Sequence, residues 1–319
     1  MSKVQSTASE FTREIGSSGN FVRQANRFVT PFGAGPDKLP VEAGRYRLLW
    51  APICPWAHRA IIVRKLLGLE DAISVGTANP VRTEQGWEFS LDEGGVDPVL
   101  GIRYLPDIYK ETDPDHQGRA TVPTVVDIKT RKVVNNDYFR LTNDLETAWS
   151  PLHKAGAPDL YPERLRGEID ALNDILFHEV NNGVYKAGFA RTQEAYEQAY
   201  DTLFARLDEL EKRLASSRYL LGSFITDSDV RLYVTLARFD IAYYSVFRTN
   251  RNRLIDFPHL WGYARDLYQT QGFGDTTDFE AIKRGYHLGD ISSNPYLLLP
   301  KGPDVSAWLT PHHRELLAK

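Results

Sequence analysis

The chain has 319 residues, of which 42% are apolar and 25% charged, the composition of an ordinary globular protein. Its formal net charge of −4 gives no reason to expect nucleic acid or an anionic membrane as a partner. A single cysteine excludes an internal disulfide framework and disfavours a cysteine-based metal site. No apolar signal region and no membrane-length apolar run is present, so we expect a cytoplasmic protein. The length predicts two domains.

The first elements surround the lone cysteine. Residues 1–44 are rich in Ser, Gly, Thr and Pro and predict an irregular surface arm. Tyr46–Trp50 is an apolar run that predicts a strand, and Trp56–Leu67 has a helical pattern that Gly68 ends. Cys54 therefore lies on a strand-to-helix turn.

Cys54 is a candidate nucleophile. Unpaired N–H groups and the positive end of the helix dipole favour a thiolate at a helix N-terminus. Pro55 suits the first helical position because its missing N–H would have been unpaired anyway. The alternative is a buried structural cysteine, a common location for free thiols. His58, one turn further along, and Arg59 are open to structural roles as much as to tuning the thiol.

The next elements complete a sheet. Ala72–Thr77 predicts a second strand, and residues 79–119 predict a long loop-rich insertion of the kind that is usually functional. Thr121–Asp127 and Lys132–Asn136 predict two antiparallel strands, followed by a helix from Tyr138 to Ala148.

This order of elements is the thioredoxin-like layout. Val122-Pro123 opens the third strand, and in that fold a cis-proline at this point faces the cysteine.

The second half of the chain is helical. Thr192–Leu214 has apolar residues at helical spacing, and Thr226 with Asp229 forms a capping box before a buried helix from Ser228 to about Tyr244. We therefore expect an N-terminal arm over 1–44, a thioredoxin-like domain over 45–150 with the insertion 79–119, a helical domain over 151–287 and a C-terminal arm over 288–319. The fold class is α/β plus all-α, the architecture of the glutathione transferases.

Five motifs carry a more specific resemblance. The chain resembles the glutathionyl-hydroquinone reductases, the Xi class of glutathione transferases, from about residue 40 to residue 303. The motifs are Cys54-Pro-Trp-Ala-His-Arg59, Asn182-Gly-Val-Tyr-Lys-Ala-Gly-Phe-Ala190, Arg238-Phe-Asp240, Leu260-Trp-Gly-Tyr263 and Ile282-Lys-Arg-Gly-Tyr286.

The resemblance implies a thiol-dependent reductase. Cys54 would attack the glutathione sulfur of a glutathionyl-hydroquinone, and a second glutathione would resolve the resulting mixed disulfide. The implied partners are a small thiol and aromatic hydroquinone conjugates, with a homodimer expected from the family. Tyr185 and Tyr286 match the family tyrosines that face the hydroquinone hydroxyls, whereas Tyr243 and His287 are weaker candidates. Without the motifs, these tyrosines would be structural.

The resemblance also implies a thiol-binding set. Its members are Trp87, Arg119, Val122, Asp137 and Tyr138. Val122 would pair its backbone with the cysteinyl backbone of glutathione, while Trp87 and Arg119 could hold carboxylates or serve structural roles. Family members typically have Glu-Ser where this chain has Asp137-Tyr138, so the thiol could instead be mycothiol, a sugar-based thiol.

Other functions stay open at this point. A glutaredoxin-like thiol transferase would share Cys54 but need no hydroquinone pocket, and a non-catalytic binding protein could keep the fold alone. A conventional conjugating transferase is disfavoured, because a protein cysteine would capture the bound thiol as a disulfide.

Overall fold

The computed structural model describes residues 14–289 and 293–317, which divide into two compact units. The first contains residues 24–158 and the described part of 280–297. The second contains residues 14–23, 159–279 and 298–317. Within these described ranges, no helix is long and apolar enough to cross a bilayer.

The first unit is built on a four-stranded mixed sheet. Its strands are β1 (Tyr46–Trp50), β2 (Ile73–Thr77), β3 (Thr124–Asp127) and β4 (Lys132–Asn135), in the order β2-β1-β3-β4. β1 pairs parallel with β2 and antiparallel with β3, and β3 pairs antiparallel with β4. β1 is buried along nearly its whole length, and its one charged residue, Arg47, is paired with the buried Asp97 at 2.7 Å. The predicted thioredoxin-like layout is confirmed.

Helix α1 (Pro55–Leu67) follows β1 directly. Its C-terminus is set by Gly68, whose φ of 72° is readily available to glycine. The Leu69 N–H then donates to the Arg64 carbonyl at 2.9 Å, which satisfies an otherwise unpaired group. The helix is buried on most sides, so it fixes the position of the turn that precedes it.

The insertion 79–119, predicted to be rich in loops, also has regular secondary structure. It contains helix α2 (Leu105–Thr112), whose residues Leu105, Ile108 and Tyr109 are buried at helical spacing. The Asp107 carboxylate caps the helix by accepting the Tyr104 N–H at 3.1 Å. The Thr112 hydroxyl accepts the Val133 N–H at 2.8 Å, which ties α2 to strand β4.

Two further element boundaries differ from the prediction. β3 begins at Thr124 rather than at residue 121, because Pro123 has no N–H to donate to a ladder. Helix α3 (Leu141–Thr147) begins three residues after Tyr138. The cause is the Asp137 carboxylate, whose Oδ1 accepts the N–H groups of Phe139 at 3.0 Å and Arg140 at 3.2 Å. These two hydrogen bonds form a turn that precedes the helix.

The second unit is helical, as predicted. Its main elements are α4 (Arg166–Ile175), a π-helical segment (Leu176–Asn181), α5 (Gly183–Phe189), α6 (Gln193–Leu214), α7 (Asp227–Arg238), a second π-helical segment (Phe239–Tyr243) with a final turn (Tyr244–Val246), and α8 (Pro258–Tyr268).

Two helices of this unit begin at a capping residue. Thr192 caps α6 by accepting the Ala195 N–H at 3.2 Å. The Asp229 carboxylate accepts the Thr226 N–H at 2.8 Å, so the predicted capping box is confirmed, and burial raises the pKa of Asp229. The α-helix predicted to reach Tyr244 ends earlier, at Arg238, because one wider π turn follows it.

The chain ends as a largely irregular arm anchored by a few side chains. Trp308 packs against Trp261 with ring centroids 4.9 Å apart, and the Arg314 guanidinium donates to the Arg218 carbonyl at 2.9 Å. Residues 290–292 and 318–319 of this predicted arm, and residues 1–13 of the N-terminal one, lie outside the described residues. Helix α9 (Phe279–Leu288) precedes this arm.

Candidate active site

Cys54 is the N-cap residue of α1. Its backbone is extended (φ −75°, ψ 115°), Pro55 occupies the first helical position, and the side chain is half-buried. The Cys54 N–H donates to the Ala51 carbonyl at 2.9 Å, and its own carbonyl accepts the His58 N–H at 3.0 Å. The thiol therefore sits at the positive end of a buried helix, where a thiolate is stabilised.

The cis-proline loop faces this thiol. The Val122-Pro123 bond is cis, as predicted, and the Cys54 Sγ lies 3.4 Å from the Val122 carbonyl oxygen as its hydrogen-bond donor. Val122 and Trp87 belong to one buried apolar cluster, and Cys54 packs against that cluster. Val122 is thus brought to the sulfur, and Trp87 belongs to the apolar cluster against which Cys54 packs.

Tyr138 lies on the ring of Trp56, two residues from the cysteine. The two ring centroids are 5.1 Å apart with the planes tilted by 53°, and the Arg59 guanidinium lies 4.7 Å from the Trp56 ring. Arg59 and His58 are both buried, so they pack in the interior. Tyr138, Trp56 and Arg59 thus form an aromatic and cationic cluster next to Cys54 in the sequence.

Asp137 has one carboxylate oxygen committed to the protein. Besides the two backbone N–H groups that start the turn before α3, Oδ1 accepts the Asn26 side-chain amide at 3.0 Å. Among the described residues, the hydrogen bonds to the Asp137 carboxylate group all go to Oδ1, and Oδ2 accepts none of them.

Trp87 and Arg119 are held in different ways. Trp87 is 7% exposed, and the Arg82 guanidinium lies 4.9 Å from its ring. The Arg119 backbone is bound at both ends by Gln24, whose side-chain Oε1 accepts the N–H at 2.8 Å and whose Nε2 donates to the carbonyl at 3.2 Å.

Tyr286 is carried by a helix that touches the residue before the cysteine. In α9, a Cβ built on Gly285 would lie 2.4 Å from Ile53 Cδ1 and 2.7 Å from the Pro80 carbonyl oxygen. Only glycine permits such an approach, so α9 packs directly on the Cys54 turn. Tyr286, the next residue, is half-buried.

Tyr185 lies in an aromatic cluster of the second unit. Its ring packs against Phe247 at 5.1 Å and against Tyr243 at 5.9 Å, and the Arg23 guanidinium lies 4.7 Å from its face. Tyr243 is fully buried, in keeping with a packing role. Both π-helical segments border this cluster: one precedes the helix of Tyr185, and the other contains Tyr243. Such turns are frequent at functional sites.

Four residues near the thiol-binding set carried no recognisable motif. Tyr109 and Asn136 are buried and hydrogen-bonded to each other at 3.1 Å, and Gln24 and Asn26 reach Arg119 and Asp137 from the N-terminal arm. Isolated amides in an arm have no periodicity, so no sequence pattern marks Gln24 and Asn26. Tyr109 does have a signal in the apolar spacing of α2.

Known proteins share both the fold and the sequence. The N-terminal domain model of the glutathione S-transferases matches residues 53–148, and the C-terminal domain model matches residues 193–266. Glutathionyl-hydroquinone reductase YqjG of Escherichia coli (strain K12) is 40% identical over 294 residues, which are 89% of each chain.

Solved structures agree with this match. A glutathione transferase from Gordonia bronchialis DSM 43247 has a TM-score of 0.89 at 52% identity, over 91% of each chain. Glutathione S-transferase Xi from Phanerochaete chrysosporium has a TM-score of 0.86 at 40% identity, over 91% of this chain and 99% of that one. The glutathione-bound structure of YqjG has a TM-score of 0.83 at 39% identity, over 91% and 96%.

The chain therefore has the two-domain glutathione S-transferase fold, and its own Cys54 lies at the start of the first helix. At the next level, the chain belongs to the glutathionyl-hydroquinone reductases, the Xi class of that fold.

Proposed function

We propose that the protein reduces glutathionyl-hydroquinones with glutathione. The Cys54 thiolate attacks the glutathione sulfur, a Cys54–glutathione disulfide forms, and the aromatic carbon–sulfur bond breaks. Its electron pair remains on the ring carbon, which takes up a proton to give the free hydroquinone. A second glutathione then attacks the mixed disulfide, which releases glutathione disulfide and regenerates Cys54. The ring carbon is reduced, and two glutathione sulfurs, the thioether sulfur of the conjugate and the thiol of the second glutathione, are oxidised to one disulfide.

The observation that carries this proposal is the environment of Cys54. The thiol lies at a helix N-terminus, half-buried and facing the cis-proline carbonyl, in a chain that has no second cysteine. Because the chain cannot supply a resolving thiol, each cycle needs one from solution. A reduced thiol pool is a property of the cytoplasm, which supports a cytoplasmic location.

The remaining site residues have proposed roles in this reaction. The thiol would be held by the Val122 backbone, the Trp87 indole, the Arg119 guanidinium and the Asp137 Oδ2. Tyr286, on the helix that touches Ile53, would donate to a hydroquinone hydroxyl as the ring becomes electron-rich. The family resemblance proposes the same role for Tyr185.

Mass spectrometry and turnover test the proposal together. The wild type should convert a glutathionyl-hydroquinone to hydroquinone, and one equivalent of substrate should leave a glutathione adduct on Cys54. Cys54→Ser should do neither. Turnover that persists in the serine variant would contradict the mechanism.

A glutaredoxin-like thiol transferase is distinguished by the tyrosines. The double variant Tyr185→Phe, Tyr286→Phe should lose most hydroquinone turnover while keeping reduction of a glutathione mixed disulfide. Equal loss of both activities would count against a hydroquinone-specific role for the two hydroxyls.

A second candidate thiol is favoured by Tyr138. Its ring packs on Trp56 beside the Asp137 carboxylate, where the family typically has a small serine. A bulky aromatic side chain there suits the sugar rings of mycothiol better than the γ-glutamyl group of glutathione. Titration calorimetry of both thiols against Cys54→Ser, with and without Tyr138→Ser, decides between them. Tight glutathione binding with no mycothiol binding would exclude mycothiol.

We also propose a homodimer, as the family resemblance implies. Light scattering on the eluting protein would give twice the 36.2 kDa chain mass for a dimer. A single-chain mass at micromolar concentration would contradict it.

A further inference from the structure

The N-terminal arm contacts the residues that would bind the thiol. Gln24 closes a reciprocal pair of hydrogen bonds with Arg119: its Oε1 accepts the N–H at 2.8 Å and its Nε2 donates to the carbonyl at 3.2 Å. A side-chain amide that satisfies both backbone groups of one residue fixes the course of the chain there. Gly118 lets the amide approach, since a Cβ at that position would lie 2.8 Å from Gln24 Nε2.

Two residues further along, the arm contacts the other proposed ligand. Asn26 Nδ2 donates to Asp137 Oδ1 at 3.0 Å, so the arm holds one oxygen of that carboxylate. The N–H of Phe28 donates to Asn136 Oδ1 at 2.9 Å, and the Phe28 carbonyl accepts the Asn136 N–H at 2.8 Å. The arm is thus paired with the segment that carries Asp137.

A buried link joins this segment to the cis-proline loop. Asn136 Nδ2 donates to the Tyr109 hydroxyl at 3.1 Å. That hydroxyl lies 3.0 Å from the Thr121 carbonyl and 2.8 Å from the Thr124 hydroxyl, on either side of the cis bond. Burial raises the pKa of Tyr109, so the hydroxyl stays protonated and remains a donor.

We propose that Gln24 and Asn26 are positioning residues of the thiol site, which act through Arg119 and Asp137. The inference rests on the proposed function, since it concerns the same thiol. Both amides fix groups that would otherwise have to be ordered when the ligand binds, and preorganisation of this kind lowers the cost of binding. Neither side chain is fully buried, so its removal exposes the Arg119 backbone groups or the Asp137 carboxylate to water rather than leaving them unpaired in the core.

Steady-state kinetics of the full chain tests the proposal. Gln24→Ala and Asn26→Ala should each raise the KM for the resolving thiol by about threefold to tenfold, the value of one or two hydrogen bonds, with kcat within about twofold. Gln24→Glu keeps the acceptor for the Arg119 N–H and should fall between Gln24→Ala and the wild type. Val29→Ala is the matched control: its exposed side chain lies in the same arm, and only its backbone pairs with the sheet at Asn135.

Each outcome has one interpretation. A raised KM in the two amide variants with an unchanged Val29→Ala supports the inference. An unchanged KM in both amide variants overturns it. An equal shift of KM in Gln24→Ala, Asn26→Ala and Val29→Ala also overturns it, because the two amides would then have no specific effect. Glutathione and mycothiol are both assayed. Failure of the wild type to use either thiol overturns the proposed function and this inference with it.

Discussion

Replacing Gly285 with alanine tests how the last helix is seated on the cysteine turn. The added Cβ would lie 2.4 Å from Ile53 Cδ1 and 2.7 Å from the Pro80 carbonyl oxygen, both closer than van der Waals contact allows. The Ile53 side chain can move, but the Pro80 backbone cannot move without its loop. Helix α9, which carries Tyr286, is therefore the part expected to shift.

The expected cost follows from two opposing terms. Overpacking of this kind costs about 1–3 kcal/mol, whereas glycine-to-alanine in a helix gains about 0.5–1 kcal/mol. We expect a net loss of about 1–2 kcal/mol in the free energy of unfolding. A displacement of about 1 Å at the reacting groups can lower turnover by up to roughly a hundredfold. The thiol-binding residues lie on other elements, so the KM for the thiol should change little.

Urea unfolding and hydroquinone turnover measure both effects. Gly262→Ala in α8 is the control, since a Cβ there would lie 3.5 Å from Arg314 Cδ, an ordinary contact. That variant should be as stable as the wild type or slightly more stable. A Gly285→Ala protein with unchanged stability and turnover would refute the close packing of α9 on Ile53.

Three further variants follow from particular groups. Cys54→Ser should lower hydroquinone turnover by at least about a thousandfold while the free energy of unfolding changes by less than about 1 kcal/mol; a larger stability change would favour a structural cysteine. Burial raises the pKa of Asp144 to about 6 from an ordinary value of 3.8, so its ionisation favours the unfolded chain and stability falls as the pH rises from 4 through 6. Asp144→Asn should therefore raise the free energy of unfolding at pH 7 by about 1–2 kcal/mol, a value discounted for partial exposure of the side chain. Urea unfolding at pH 4 should show no such gain. An equal gain at both pH values would contradict this. Tyr109→Phe removes a buried hydroxyl with several partners and should lose about 1–3 kcal/mol in urea unfolding, whereas Tyr296→Phe, with a side chain that is 83% exposed, should lose nothing. Equal stability of the two tyrosine variants would show that the hydroxyl network contributes nothing.

Local sequence signals were sufficient for the first elements of the sheet. β1 and α1 were predicted from an apolar run and a helical pattern, and Gly68 marked the helix end because its left-handed backbone favours glycine. The capping box at Thr226 was equally local. The start of β3 was predicted too early, because Pro123 has no N–H to donate to the ladder that its β-branched neighbours favour.

Helix α2 was not predicted, because only three buried apolar residues mark it within an insertion of polar loops.

Long-range hydrogen bonds could not be predicted from local sequence patterns either. Gln24 lies 95 residues from Arg119 and Asn26 lies 111 residues from Asp137, and no periodicity links such pairs. The family resemblance identified the candidate site residues. The hydrogen bonds that hold Arg119 and Asp137 in position are visible only in the tertiary structure.

The π-helical segment Leu176–Asn181 sets the rotational phase of the helix that follows it. A π turn holds one more residue than an α turn, and each residue of an α-helix advances the side chains by about 100°. With that extra residue in place, the Tyr185 and Phe247 ring centroids lie 5.1 Å apart. Deleting one residue from the segment should therefore rotate Tyr185 out of its cluster, where substitution would leave it in place. Near-UV circular dichroism, which reports the asymmetry of packed aromatic rings, would register the difference.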